Sequence, residues 1–403
     1  MIHTRPKRPR LDKMHVIHQK SEPLIPLTRP TLPAMYRVLE VFQESYESGT
    51  VTLGRAVSLF EEEVCNFTGA KYAVAVSSCT AGLMLAFASM GFSEGAEVIL
   101  PSFTFPATAQ AVFWNRLKPV YVDCSRDTMT IDPDQVNKAI SRNTAAVCPV
   151  TVFGLPPDIE ALTDLTNRKG IPLLFDSAQG LGARYKGRPI GLFGLCEVFS
   201  LSPTKVITAI EGGVVTTNDR QLAENLRSMR DYGKGPDGEE LILNGLSARM
   251  SEFHAAVGLA CLRNAETLIR SRLRLIKRYT EGVRNFRGCR VQEFPRDRYS
   301  TGNYFALLIG TEAEADRDRV WAELNECNIQ SKRYFYPPTH SHAAFKDLPH
   351  RIVGELPNTW AAANSSLALP LYSHMSDIEQ DRVLQALSSI LGASDSFDQR
   401  RLK

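Results

Sequence analysis

The sequence predicts an α/β fold built on a doubly wound sheet. Predicted strands and helices alternate along residues 72–217, the order expected when helices cover both faces of a largely parallel sheet. Two of the strands, at residues 145–153 (AAVCPVTVF) and 171–175 (IPLLF), are continuous apolar runs. Such runs are typical of strands buried on both faces. The sequence therefore indicates a layered α/β protein.

Two helices precede the alternating region. Apolar residues recur at helical spacing over residues 33–46 and 57–67, and Gly49 and Gly69 end these helices. The alternating region comprises predicted strands at 72–77, 97–100, 119–123, 145–153 and 171–175 and predicted helices at 80–90, 106–115 and 158–169. Two further strands, VFSL and GGVVTT, are predicted on either side of Lys205.

The chain is long enough for two packed regions. It has 403 residues, more than the roughly 250–300 at which a single core stops growing. A long helical stretch begins at residue 250 and runs toward residue 279, followed by a strand at 303–309 and helices at 316–328 and 376–391. We therefore predict a flexible basic leader (1–24), a large domain (25–265), a smaller α+β domain (266–395) and a tail (396–403).

Composition and charge exclude several classes of protein. Hydrophobic residues make up 43% and charged residues 23% of the chain, which argues against a mainly disordered protein. The net charge is +3, but residues 1–20 alone carry +5, so the remainder carries −2. That remainder lacks the basic excess of a nucleic-acid binder. No apolar run approaches the roughly 18 residues of a membrane span.

The cysteines indicate a reducing compartment. All eight are scattered, and none forms a CxxC pair. The N-terminus is basic, but no apolar segment follows it, so a signal peptide is not expected. Scattered thiols in a long chain suit the cytosol better than a disulfide framework. We expect a soluble cytoplasmic protein with neither a membrane nor a nucleic acid as partner.

A turn of small residues, SSCTAG at 77–82, joins a predicted strand to a helix. Small side chains let a ligand approach the backbone, and the free N–H groups at a helix start favour an anion such as phosphate. An ordinary helix cap is the alternative interpretation.

Asp176 comes directly after the apolar strand at 171–175. Ligands of open α/β sheets bind outside the carboxyl ends of the strands. A carboxylate that emerges there from a buried run needs a positive or hydrogen-bonding partner. Gln179 follows at helical spacing and can present its amide to the same space. A helix N-cap is the alternative role for Asp176.

Lys205 ends a turn rich in Ser and Thr, FSLSPTK, and is followed by EGGVVTTND. Because strands are predicted on both sides, we expect a partly buried amine. Such an amine can form a Schiff base with a carbonyl compound. A lone lysine is more commonly a solvated surface charge, so the hypothesis depends on Lys205, Asp176 and the turn at 77–82 meeting in one site.

Several long motifs occur in order along residues 25–391: IPLTRPTLP, SGTVTLGRAVSLFEEEV, PSFTFPATAQAVFWNRLKPVYVD, FDSAQGLGARYKGRPIG, FSLSPTK, EGGVVTTND and RMSEFHAAVGL. With these motifs the chain resembles the DegT/StrS family of sugar aminotransferases, which are fold-type I pyridoxal phosphate (PLP) enzymes. The resemblance implies a large PLP-binding domain with a mixed, mostly parallel sheet and a smaller C-terminal domain. It also implies a homodimer with shared active sites.

The resemblance implies a role for four residues around the cofactor. Lys205 matches the lysine that forms the Schiff base with PLP, and Asp176 matches the carboxylate that pairs with the pyridinium nitrogen. Gln179 matches a residue beside the phenolic oxygen of the cofactor. Ser200 matches a serine that contacts its phosphate. No metal site is implied.

Three more positions are implied to contact the cofactor. Cys79 and Thr80 match the phosphate loop, and Phe105 matches the aromatic residue that stacks on the cofactor ring. Ordinary core packing is the alternative for Phe105.

The chain departs from the family at four positions. Cys79 stands where Gly is usual, and Thr151 and Ser202 each stand where His is common. Ser247 stands where an Asn typically reaches the phosphate of the partner subunit; a serine donates one hydrogen bond but reaches less far. These departures bear on the choice of substrate and donor more than on the chemistry.

The implied reaction is ping-pong transamination through Schiff bases. L-glutamate is the implied donor, and a nucleotide-linked 3- or 4-keto-6-deoxy sugar is the implied acceptor. A keto-cyclitol or another small carbonyl compound is an alternative acceptor, and a non-catalytic PLP-binding accessory or regulatory protein is an alternative function. The combination of Lys205, Asp176 and Ser200 disfavours the non-catalytic alternative. Lys205 also argues against the dehydratase branch of the family, which carries His at this position.

The segment KRYFYPPTH at 332–340 combines cations, aromatic rings and prolines. From the smaller domain it could reach a pyrophosphate and a sugar. We therefore predict Tyr334, Arg333 and His340 as substrate contacts. A solvated loop with packed rings is the alternative.

Overall fold

Residues 22–284 and 286–392 are described by the structure, a computed structural model. Most of the predicted leader and the whole predicted tail lie outside these ranges. The helices are α1 (Met35–Ser48), α2 (Arg55–Thr68), α3 (Cys79–Ser89), α4 (Pro106–Trp114), α5 (Pro133–Ala139), α6 (Ile159–Asn167), α7 (Arg220–Met229), α8 (Glu252–Leu262), α9 (Ala265–Val283), α10 (Arg317–Glu326), α11 (Pro357–Ser365) and α12 (Asp377–Leu391). The strands are β1 (Tyr72–Val76), β2 (Glu97–Pro101), β3 (Lys118–Val122), β4 (Thr144–Val147), β5 (Leu174–Asp176), β6 (Arg184–Tyr185), β7 (Arg188–Pro189), β8 (Cys196–Ser200), β9 (Gly213–Thr217), β10 (Cys289–Val291), β11 (Arg298–Tyr299), β12 (Phe305–Ile309), β13 (Arg351–Ile352) and β14 (Ser366–Leu369).

The main sheet is mixed and mostly parallel, as predicted. Its two halves have the strand orders β1-β9-β8-β5 and β13-β3-β2-β4. Parallel bridges from Val147 to Leu173 and from Val150 to Asp176 join β4 to β5 and make one continuous sheet. Only β9 runs antiparallel to both of its neighbours. This arrangement brings the carboxyl ends of β1, β4, β5 and β8 to one edge.

Three predicted elements differ from the structure near prolines or polar residues. The strand predicted at 145–153 ends at Val147, and the strand predicted at 171–175 begins only at Leu174. Pro149 and Pro172 lack the N–H group that a central strand needs. The long helical stretch at 250–279 is two helices, α8 and α9, separated by Arg263 and Asn264.

The C-terminal part of the chain has its own sheet and core. Strands β10, β12 and β14 form an antiparallel sheet, and apolar residues of α9, α10 and α12 pack against it. Two segments cross the predicted boundary at residue 265: Ile25 packs into this C-terminal core, and β13 extends the main sheet beside β3. The two-domain division itself stays a prediction.

Within the described ranges, no helix is both long and apolar enough to cross a membrane.

An ion pair joins the buried Glu97 of β2 to the half-buried Arg351 of β13. Arg351 donates from Nε and Nη2 to the two Glu97 carboxylate oxygens, at 3.1 and 2.7 Å. Ser141 donates a further hydrogen bond of 2.8 Å, and Lys118 Nζ lies 3.4 Å away. These hydrogen bonds, chiefly those from Arg351, lower the pKa of Glu97 from 4.5 to about 2.

This shift predicts a pH-dependent contribution to stability. A carboxyl whose folded pKa is depressed stabilises the fold above its ordinary pKa and loses that effect as the pH falls through the folded value. From 4.5 and about 2 we expect roughly 3 kcal/mol at neutral pH. In urea unfolding at pH 7, the free energy of unfolding of the wild type should exceed that of Glu97→Gln by this amount. The difference should vanish toward pH 2. An equal difference at both pH values would contradict the prediction.

Candidate active site

A cavity of about 330 Å³ lies at the carboxyl ends of the main-sheet strands. Eight of the eleven predicted site residues line it: Cys79, Thr80, Phe105, Asp176, Gln179, Ser200, Lys205 and Tyr334. These residues come from segments more than 250 positions apart. They meet because parallel strands end at the same edge of the sheet.

Asp176 is the last residue of β5, and its carboxylate is buried, with 4% of the residue exposed. Oδ2 accepts a hydrogen bond of 2.7 Å from Thr108 Oγ1, and Oδ1 accepts one of 3.1 Å from the Ala178 N–H group. Burial raises the pKa of Asp176, while these hydrogen bonds and the charge of Lys205 act in the opposite direction. A buried carboxyl with neutral hydrogen-bond donors is suited to receive a cationic N–H group from a ligand.

For the transamination that the family resemblance implies, we predict that Asp176→Asn lowers kcat by about a hundredfold to a thousandfold. This is the scale of losing one preorganised electrostatic partner. Thr108→Val should lower kcat much less, because it removes only one hydrogen bond to the carboxylate. Steady-state kinetics of both variants, with unfolding midpoints as a folding control, test this order. The opposite order would contradict the assignment of Asp176.

The turn at 77–82 forms the N-terminus of α3. Ser78 is the N-cap, and its Oγ accepts a 3.1 Å hydrogen bond from the Ala81 N–H group. The Cys79 and Thr80 N–H groups belong to the first helical turn, which has no intrahelical acceptors for them. The start of β9 passes so close that a Cβ on Gly213 would lie 2.6 Å from the Cys79 nitrogen. The turn is therefore held with its donors at the cavity wall, where they favour an anion.

The departure at Cys79 does not disturb this turn. Cys79 has helical geometry and is not among the residues with positive φ, so it does not need the freedom of glycine. Its thiol donates to the Val198 carbonyl at 3.8 Å, and burial raises its pKa. The side chain therefore packs as a neutral group, and the backbone donor remains available.

Lys205 lies in the loop between β8 and β9, and residues with hydroxyl groups line the cavity beside it. Ser200 ends β8, and Ser202 and Thr204 line the cavity with Lys205. Tyr304, from the C-terminal part of the chain, closes the same wall, with its ring 5.1 Å from that of Tyr334. Lys205 thus lines the cavity and is partly buried, as the Schiff-base hypothesis requires.

Gln179 is held by the backbone around it. Its side-chain Oε1 accepts a 2.6 Å hydrogen bond from the Phe153 N–H group. Its backbone carbonyl oxygen accepts one of 2.7 Å from Thr301 Oγ1. This fixes the side chain at the cavity wall.

Three predicted residues do not line the cavity. Arg333 stacks over Trp321 and pairs with Asp318 at 3.2 Å. His340 Nδ1 lies 2.5 Å from Ser102 Oγ, outside the cavity wall. Ser247 is exposed and is not in the cavity of its own chain, so its role in a partner subunit stays a prediction.

Sequence reasoning missed Thr108, Tyr304 and Lys332. Thr108 lies on α4 within the motif that carries Phe105. It is 68 residues from Asp176 along the chain, so no local pattern indicated their contact. Tyr304 directly precedes β12, a strand of ordinary composition, and gave no signal in the sequence. Lys332 belongs to the segment at 332–340, and its Nζ lies 4.7 Å from the centre of the Tyr334 ring.

The fold is that of a fold-type I aminotransferase. The model of the DegT/DnrJ/EryC1/StrS aminotransferase family matches residues 36–388. The chain therefore belongs to this family. It is also 29% identical over 360 residues to an uncharacterized protein of Methanocaldococcus jannaschii, covering 86% of this chain and 93% of that protein.

Solved structures agree with this assignment. The structure of DesI, obtained in the presence of its TDP-sugar product, is 33% identical with a TM-score of 0.84, covering 92% of this chain and 94% of that one. DesV of S. venezuelae is 30% identical with a TM-score of 0.82, covering 91% of this chain and 100% of that one. An aminotransferase of this family from Brucella abortus is 28% identical with a TM-score of 0.83, covering 89% and 96%.

The cofactor of these aminotransferases is pyridoxal phosphate, and the cavity fits it on three counts. The free N–H groups of α3 suit the phosphate, the buried Asp176 carboxyl suits the pyridine nitrogen, and the Lys205 amine suits the aldehyde. Each group complements a different part of the same small molecule.

Proposed function

We propose that the protein transfers an amino group from L-glutamate to a nucleotide-linked keto-6-deoxy sugar in two half-reactions. The observation that carries this proposal is that Lys205, Asp176 and the N-terminus of α3 share one cavity. The DesI structure, whose ligand is a TDP-sugar product, supports the class of acceptor. Membership of the family supports the reaction.

Bound pyridoxal phosphate supplies an electron sink that makes the hydrogen beside the substrate nitrogen acidic. The chain's own residues then have separate tasks. Cys79, Thr80 and Ser200 bind the phosphate, and Asp176 holds a proton on the pyridine nitrogen. In the first half-reaction the amine of Lys205 removes the proton from the α-carbon of the amino donor. In the second half-reaction it delivers a proton to the acceptor carbon that receives the amino group.

Lys332 is the proposed anchor for anionic groups of the substrates. Besides Lys205, it is the only cationic side chain lining the cavity in the described part of the chain. A glutamate carboxylate and a sugar diphosphate both need such a partner. Phe105, which is 52% exposed at the cavity mouth, is proposed to stack on the cofactor ring.

A homodimer is the proposed assembly. Apolar side chains around Ser247 support it, since Tyr232, Leu241, Ile242 and Leu246 are all exposed. Exposed apolar clusters of this kind mark protein interfaces. Light scattering should then give twice the chain mass of 44.8 kDa.

A reducing compartment, the cytoplasm, is the proposed location. The eight cysteines, all within the described ranges, are free thiols, which supports this placement.

The function is tested with purified protein, pyridoxal phosphate, L-glutamate and a panel of nucleotide-linked 3- and 4-keto-6-deoxy sugars. We expect 2-oxoglutarate and an aminated sugar in equal amounts, and parallel lines in double-reciprocal plots when both substrates are varied. Formation of 2-oxoglutarate without any aminated sugar would contradict the acceptor. Failure with L-glutamate but turnover with another amino acid would contradict the donor.

A further inference from the structure

A buried carboxyl group lies behind the cavity wall. Glu197, on β8, is only 1% exposed. Its Oε1 accepts hydrogen bonds from the N–H groups of Gly191 and Phe193, at 2.5 and 3.0 Å, and its Oε2 accepts one of 2.9 Å from Ser177 Oγ. All three donors are neutral, so no cation compensates the charge through these contacts.

Two buried hydroxyl groups connect this carboxyl to the cavity. Ser177 Oγ lies 3.2 Å from Thr151 Oγ1, and either oxygen can be the donor. Ser177 directly follows Asp176, whereas Thr151 lines the cavity itself. Glu197, Ser177 and Thr151 therefore form a continuous chain of hydrogen bonds, which we call the hydroxyl relay.

The direction of the relay depends on the proton of Glu197. When Glu197 is ionised, Ser177 must donate to it, and Thr151 must then donate to Ser177 and keep only acceptor lone pairs for the cavity. When Glu197 is protonated, it can donate to Ser177, Ser177 can donate to Thr151, and the Thr151 hydroxyl is free to donate into the cavity. The protonation of Glu197 thus reverses the direction in which both hydroxyl groups donate their hydrogen bonds.

We propose that Glu197 and Ser177 are positioning residues that set, through Thr151, whether the cavity wall offers a hydrogen-bond donor or an acceptor to the substrate. A keto oxygen only accepts hydrogen bonds, so it is bound better when Glu197 carries its proton. This inference rests on the cavity being the site of the proposed reaction.

The reversal falls in the physiological range of pH. Burial raises the pKa of Glu197 to about 7, although its three hydrogen bonds lower it. Titratable or charged groups near the buried part of the relay are Asp176 on β5, Cys196 on β8, Cys148 after β4 and Arg188, which stacks on Phe193. The cavity that Thr151 lines adds Lys205, Glu211, Tyr304, Lys332 and Tyr334. Burial raises the pKa of both thiols, so they stay neutral at this pH.

Methyl NMR of the full chain with bound pyridoxal phosphate tests the relay without turnover. The Thr151 methyl resonance should shift between pH 6 and 8 in the wild type. It should be flat in Glu197→Gln, in which the amide N–H group permanently donates to Ser177. It should also be flat in Ser177→Ala, which breaks the relay but leaves Glu197 in place. The proposal would be overturned if the Thr151 methyl resonance shifted with pH in either variant as in the wild type. It would also be overturned if the resonance did not shift in the wild type.

Kinetics test the consequence for the substrate. With TDP-4-keto-6-deoxyglucose as acceptor, the wild-type KM should rise about threefold to tenfold from pH 6 to pH 8, the scale of one neutral hydrogen bond. Thr151→Ser should retain this rise, whereas Thr151→Val and Ser177→Ala should lose it. A rise that persists in Thr151→Val would overturn the role of Thr151. Absence of any turnover would count against the proposed function alone, because the NMR result stands by itself.

Discussion

Lys205→Ala is expected to abolish multiple turnover, with kcat at least about 10³-fold below that of the wild type. Proton transfer by a positioned base alone contributes about 10²–10⁴, and the variant also loses the amine that is proposed to hold the cofactor covalently. Initial rates of 2-oxoglutarate formation measure the loss. Because Lys205 is only partly buried in a loop, the unfolding midpoint should change little.

Two controls separate chemistry from charge. Lys138→Ala removes an exposed lysine at the end of α5 and should leave the rate unchanged. A small primary amine added to Lys205→Ala should restore part of the rate, since it can take over the proton transfer. Unaltered multiple turnover in Lys205→Ala would refute the assignment of this residue.

The second large effect is expected on stability, at Glu252. This carboxylate is fully buried on α8 and accepts four hydrogen bonds: from Ser45 Oγ at 2.7 Å and from the N–H groups of Gly54, Ala56 and Val57 at 2.8, 2.7 and 3.1 Å. Helix α2 has no side-chain cap of its own, so Glu252 caps it from another helix. Glu252→Ala leaves these donors buried without an acceptor and should cost about 3–5 kcal/mol.

Urea unfolding measures this loss as a lower midpoint with an unchanged slope. Glu266→Ala is the matched control, because Glu266 is exposed in the first turn of α9 and should change stability by less than about 0.5 kcal/mol. Glu252→Gln keeps one acceptor oxygen and should fall between the two. Equal losses in Glu252→Ala and Glu266→Ala would show that the cap has no energetic role.

Local patterns were sufficient to predict the elements that surround the site. Apolar runs predicted strands near their true positions, and Gly49 and Gly69 marked the ends of α1 and α2 because both adopt positive φ. The failures occurred at Pro149 and Pro172, which lie inside apolar runs but cannot donate to a neighbouring strand. Hydropathy reports burial, whereas a strand also needs its hydrogen-bond donors.

Motif order was equally informative about the centre of the site and less so about its rim. Asp176, Lys205 and the turn at 77–82 lie where strands end, so their meeting follows from the α/β topology. Arg333 and His340 belong to a segment without such a constraint. Arg333 contacts Asp318 and Trp321 instead, and His340 contacts Ser102. Neither residue lines the cavity.

The sequence by itself determined the α/β class, the family and the residues at the centre of the cavity, because these depend on periodicity and on motifs contiguous in the chain. Only the tertiary structure decided which distant side chains support that centre: Thr108 on Asp176, Glu252 on α2, and Glu197 behind Thr151. The physical reason is that hydrogen bonds act over about 3 Å, whereas the partners are 20 to 196 residues apart along the chain.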